Sequence, residues 1–123
     1  MKRIMDIPGA CSVTLVDGTS GLAIAAASNN NAIDQHEDAA ETTDVVRAVL
    51  DCPALATGED SDDVAEIIVC GARGFHLLHL LNGDSDSRLF VHVLCAGDTG
   101  NLALARFQLR GILAESAEDG LGR

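Results

Sequence analysis

VAEIIVCGARGFHLLHLL, residues 64–81, decides how the rest of the chain is read. Two apolar runs, Val64 to Cys70 and Phe75 to Leu81, flank Gly71-Ala72-Arg73-Gly74. Short apolar runs around a glycine-flanked turn predict a β-hairpin, and a hairpin implies an antiparallel sheet. In the first run, alternation puts Ala65, Ile67 and Val69 on one face and Glu66, Ile68 and Cys70 on the other. Both faces are mostly apolar, so this strand needs cover on both sides.

Working outward, NGDSDS (82–87) is a second turn and RLFVHVLC (88–95) a further strand. Upstream, CSVTLVD (11–17) and LAIAAA (22–27) predict two strands joined through the small loop Asp17-Gly18-Thr19-Ser20-Gly21. Cys11, Val13 and Leu15 point one way along the first strand; Ser12, Thr14 and Val16 point the other. From Ile33 to Cys52 the pattern is helical, with Pro53 just past the end. Val46, Val49 and Leu50 make its apolar stripe, extended by Ala39 and Thr42. Asp34, Glu37, Asp38, Glu41 and Asp44 recur at steps of three and four and form an acidic face. They crowd toward the N-terminal half, where the helix dipole favours negative charge. A last helix begins near Asn101, with Leu102, Ala105, Leu109, Ile112 and Leu113 on one face and Asp98 or Thr99 as its expected cap. Residues 1–7 allow a short helix stopped by Pro8-Gly9. The expected fold is an α/β (α+β) sandwich in the order helix, two strands, helix, three strands, helix, around a five-stranded antiparallel sheet. Residues 1–117 form one domain, followed by a polar tail over 118–123.

Composition narrows the function. The 123 residues carry a formal net charge of −11, which makes nucleic acid and anionic membrane surfaces poor partners. No apolar run reaches the ~18 residues of a membrane-spanning helix, and the N-terminus lacks the apolar segment of a signal peptide, so membrane insertion is not expected and a cytoplasmic protein is. With no Trp or Tyr and three Phe, the core must be aliphatic. Cys11, Cys52, Cys70 and Cys95 are widely spaced without a C-x-x-C pair; reduced, buried thiols are expected rather than a zinc site.

Motifs for chemistry are weak. A phosphate-binding P-loop needs a lysine beside its glycines, and the only lysine is Lys2. GTSGL (18–22) has its second glycine one position early for a nucleophile elbow and lies between two strands. His76 and His79 fall on opposite faces of a strand and cannot share a metal, while His92 on another strand can face either of them. EDSDD and GDSDS lack the spacing of a calcium loop. No catalytic, cofactor-binding or metal-ligating set follows from the spacing.

IPGACSVTLVDGTSGLAIA, DVVRAVL, EIIVCGARGFHLLHLL and LFVHVLCAGDTGNLALARFQL together resemble the roadblock family, related to dynein light chains. The likeness covers almost the whole chain and is greatest to small bacterial members of the actinobacterial kind. It implies the element order read above and a homodimer in which an edge strand from each subunit, here Val64, Ala65, Glu66, Ile67, Ile68, Val69 and Cys70, joins the two sheets. It places the second helix near the two-fold axis. It implies binding to small Ras-like GTPases as a scaffold or regulator, with or without other signalling proteins. The first helix is shorter than in many members, which leaves part of one sheet face expected to lie open, and His79 stands where related sequences carry an arginine.

The expected function is thus a non-catalytic, homodimeric regulatory or scaffold protein for a Ras-like GTPase, with no cofactor. The acidic face Asp34, Glu37, Asp38, Glu41 and Asp44 is its candidate partner surface. The alternatives are a purely structural dimerisation module of a larger signalling complex, or a small-ligand-binding protein or enzyme.

Overall fold

The computed structural model describes residues 2–29, 34–55, 64–81, 88–96 and 101–118. In chain order the elements are α1 (Lys2–Met5), β1 (Ala10–Asp17), β2 (Leu22–Ser28), α2 (Gln35–Leu50), a 3₁₀ turn (Pro53–Leu55), β3 (Glu66–Gly71), β4 (Gly74–Leu80), β5 (Leu89–Ala96) and α3 (Leu102–Glu118). The five strands form one sheet in the order β2-β1-β5-β4-β3, with every neighbouring pair antiparallel. The expected class and element order are therefore present. The acidic loops at 59–63 and 83–87, the caps Asp98 and Thr99, and the tail beyond Glu118 lie outside the described residues.

Strand alternation divides the apolar side chains between two cores. On one face, Val13, Phe75, Leu77, Val91, Val93 and Cys95 pack with Ala105, Leu109 and Leu113 of α3. On the other, Val16, Leu78 and Phe90 pack with Ala39, Val46 and Leu50 of α2. Ile4 and Ile7 are buried in the first core. The single-turn helix is thus a packing element, through Ile4 within it and Ile7 just after it, while Leu22 and Ile24 on the outer strand β2 stay exposed.

The boundaries of α2 also sharpen. It spans Gln35–Leu50, inside the expected range, and the carboxylate of Asp34 caps it by accepting from the backbone amides of His36 and Glu37. Its buried residues are Ala39, Thr43, Val46 and Leu50, so Thr43 replaces Thr42 in the stripe. Burial is tolerable because the Thr43 hydroxyl donates to the Ala39 carbonyl at 2.7 Å. At α3, the Asn101 side chain accepts from the amide of Leu104 and supplies the cap.

The β1–β2 turn is a plain hairpin loop. Asp17 Oδ1 accepts from the Thr19 amide, and Gly21 adopts a φ of 79°. That amide holds the Asp17 carboxyl below its ordinary range. Arg47, at the end of α2, donates to the carbonyls of Gly18 and Thr19 and ties the loop to the helix.

Candidate functional site

The sheet has two edges, and they differ. On β2, Leu15 faces Ala25 and Val16 faces Ala23, so Ile24 has no partner and forms a bulge. A bulge bends and twists an edge and blunts it against further pairing. On β3 the register with β4 runs without a shift from Glu66–His79 to Gly71–Gly74. The outer side of this regular strand borders no other described strand. Val69 and Cys70 are exposed, while Ile67 and Ile68 are half-buried against opposite cores. Of the seven residues read as one strand, Val64 and Ala65 lie just before β3 and the other five within it.

The exposed Cys70 departs from the expectation of buried thiols. Among the four free cysteines Cys95 is buried, Cys11 and Cys52 are intermediate and Cys70 is open to solvent. Cys70 pairs with Phe75, and among the described residues no strand lies on its outer side. Burial, then the neighbouring Cys11, pushes the Cys95 thiol up to about 11, so it stays protonated at neutral pH.

A charged knot fastens this edge to α3. Glu66, whose side chain is 10% exposed, pairs with Arg106 and lies 3.5 Å from Arg110. His79 approaches the same carboxylate at 3.6 Å through Nδ1, beyond hydrogen-bond reach, and that nitrogen is buried without a hydrogen-bond partner. Burial lowers the His79 pKa, opposed by the charge of Glu66. Sequence spacing missed this knot because its members lie on three elements.

The acidic residues of α2 lie where the periodicity put them. Glu37, Glu41 and Asp44 are exposed, Asp38 is partly covered, and Asp34 is engaged as the cap. Beneath α2, His76 and His92 stack with ring centroids 5.2 Å apart, and Nδ1 of His76 lies 2.9 Å from Nε2 of His92. Thr14 stands opposite His92 on the next strand, and its hydroxyl accepts from Gln35 of α2. No group of three His, Cys, Asp or Glu side chains is placed to hold a metal among the described residues.

This architecture recurs in solved structures. Myxococcus xanthus MglB superposes with a TM-score of 0.72 at 25% identity, over 89% of this chain and 81% of its own. A Roadblock/LC7 domain from Streptomyces avermitilis gives 0.66 at 13% identity, over 95% of this chain and 90% of its own. The chain folds as a roadblock domain. An MglB described as having a tetrameric arrangement gives a TM-score of 0.75 at 14% identity, over 96% of this chain and 85% of its own. No family model matches the sequence, and no curated protein does. The roadblock likeness read from the sequence is thus borne out at the level of three-dimensional structure. In this fold β3 is an edge strand and α2 covers the sheet face beside it. No helix among the described residues is long and apolar enough to cross a membrane.

Proposed function

We propose that this protein is a non-catalytic, homodimeric roadblock-type regulator or scaffold for a small Ras-like GTPase in a cytoplasmic signalling system. The reading rests first on the β3 edge. A regular edge strand with apolar side chains on both faces is a pairing template, and an isologous contact with a second β3 satisfies its outward backbone groups. The bulge in β2 disfavours the other edge. The pairing strand is Val64 to Cys70, and antiparallel pairing there continues the sheet across the two-fold axis.

The acidic stripe Glu37, Asp38, Glu41 and Asp44, with the cap Asp34, is the proposed contact for the GTPase. Its charge suits a basic surface and supports fast, salt-sensitive association. The roadblock likeness supplies the partner class, and nucleotide is then bound by the partner.

Affinity purification of the tagged protein, followed by identification of bound proteins, tests the partner class. Recovery of a Ras-like GTPase supports it; absence of any GTPase from the bound fraction contradicts it. A GTP-hydrolysis assay of that GTPase with and without this protein then separates a regulator from a passive scaffold.

A further inference from the structure

Three of the four cysteines fall on one transverse row of the sheet. On the face that α3 covers, Phe75 stands opposite Cys95 of β5 and opposite Cys70 of β3. On the other side of Cys95, β1 is irregular. Ala10 pairs with Cys95 and Ser12 with Leu94, which leaves Cys11 as the extra residue of a bulge. Two residues of a bulged strand oppose one residue of its neighbour, here Ala10 and Cys11 against Cys95. Ala10 and Val13 both belong to the core under α3, and alternation from Val13 turns Cys11 to that same face. The bulge is held from both sides. The Ala96 amide donates to the Gly9 carbonyl at 2.9 Å, and the Cys11 carbonyl accepts from the Asn29 amide at 3.1 Å. Cys11 is half-buried and its thiol lies 3.6 Å from the Gly9 carbonyl, whereas Cys95 is fully buried.

We infer that Cys11 and Cys95 form an oxidant-sensitive dithiol, which closes to a disulfide between β1 and β5 on reaction with a peroxide. Distance selects this pair. Adjacent antiparallel strands hold opposed Cα atoms about 4.5 to 5.5 Å apart, inside the roughly 4.4 to 6.8 Å span of disulfides. Cys70 lies two strands from Cys95, about 9 to 10 Å away, with Phe75 between them. Cys52 follows the end of α2, off the sheet.

Exposure sets the order of events. Cys11 reaches solvent and meets the peroxide first. Its thiolate attacks one peroxide oxygen, the O–O bond breaks, and Cys11 becomes a sulfenic acid as hydroxide leaves. The Cys95 thiolate then attacks the Cys11 sulfur. The S–S bond forms and the S–O bond breaks, with loss of a second hydroxide. The two hydroxides take up the two thiol protons, so one peroxide is reduced to two waters while two thiols are oxidised. Burial, then the neighbouring Cys11, holds the Cys95 thiol at about 11, which makes the second step slow at neutral pH and speeds it about ten-fold per pH unit. The closed form ties the end of β1 that carries α1 to the central strand of the sheet.

The test treats the native full chain with hydrogen peroxide at pH 7 and pH 9, unfolds it, alkylates the remaining thiols and maps the peptides by mass. The expected product has lost two hydrogen atoms and carries a crosslink between the peptides holding Cys11 and Cys95, formed faster at pH 9 and opened by dithiothreitol. Cys70→Ser is expected to leave closure unchanged and Cys11→Ser to abolish it, with unchanged circular dichroism showing that both variants fold. Recovery of Cys95 as a free thiol at both pH values overturns the inference. So does a Cys11 sulfenic acid that dimedone traps while Cys95 stays free, or a crosslink that runs through Cys70 or Cys52 instead.

Discussion

His76 and His92 hydrogen-bond ring to ring at 2.9 Å on the sheet face covered by α2, one imidazole donating to the bare nitrogen of the other. Burial, and then the neighbouring His76, lower the His92 pKa to about 4. The folded state thus binds its proton more weakly than the unfolded chain, whose histidines titrate near 6.5. Stability is fully present above pH 6.5 and is lost as pH falls toward about 4, by roughly 1 to 3 kcal/mol. Burial shifts His79 in the same direction and adds to the loss. Urea unfolding at pH 7 and pH 5 measures the difference. His92→Gln is expected to flatten it, and an equally steep loss in that variant counts against the pair.

Gly18 is a crossing point. Its amide donates to the Arg88 carbonyl at 2.7 Å, and a Cβ placed on it meets that oxygen at 2.4 Å. Gly18→Ala therefore pushes the β1–β2 turn off the start of β5 and costs about 1 to 3 kcal/mol. Gly21→Ala costs about 1 to 2 kcal/mol for a different reason, its φ of 79°. Thermal unfolding checks both.

Glu66 holds β3 to α3. Glu66→Ala leaves Arg106 and Arg110 without their carboxylate, but both arginines reach water. The expected cost is about 1 to 2 kcal/mol rather than that of a fully buried pair. Hydrogen exchange should rise at β3 amides before it rises in β1 and β5. Uniform acceleration across the sheet would show that the knot has no local role.

At the β3 edge, Val69→Lys is expected to break pairing between copies while the fold persists, because the side chain is already exposed. Light scattering reads the drop in mass. An unchanged mass argues against this edge.

On α2, reversing charge with Asp38→Lys and Glu41→Lys is expected to weaken capture of a co-purified GTPase at least ten-fold, most strongly at low salt. Capture that is insensitive to these changes assigns the stripe to solvation.

Much of the fold was legible in local pattern. The GARG and DGTSG turns, the period-two strands and the acidic stripe of α2 are properties of short segments, and their physics acts within a few residues. Single positions within an element were less legible. Thr43 rather than Thr42 is buried because helix rotation is set by the sheet beneath, and Cys70 is exposed because nothing described lies beyond β3. The short α1 belongs to the core because Ile4 and Ile7 reach α3, an arrangement that seven residues do not announce.

The element order, the aliphatic core and the acidic surface follow from residue type and spacing alone. Which strands are edges, that one edge is bulged and the other regular, that Glu66 meets Arg106 and Arg110, and that His76 meets His92 all depend on the folded sheet. Those pairings join residues between 16 and 44 positions apart, and contact at such separation is fixed by strand order and register rather than by neighbouring residues.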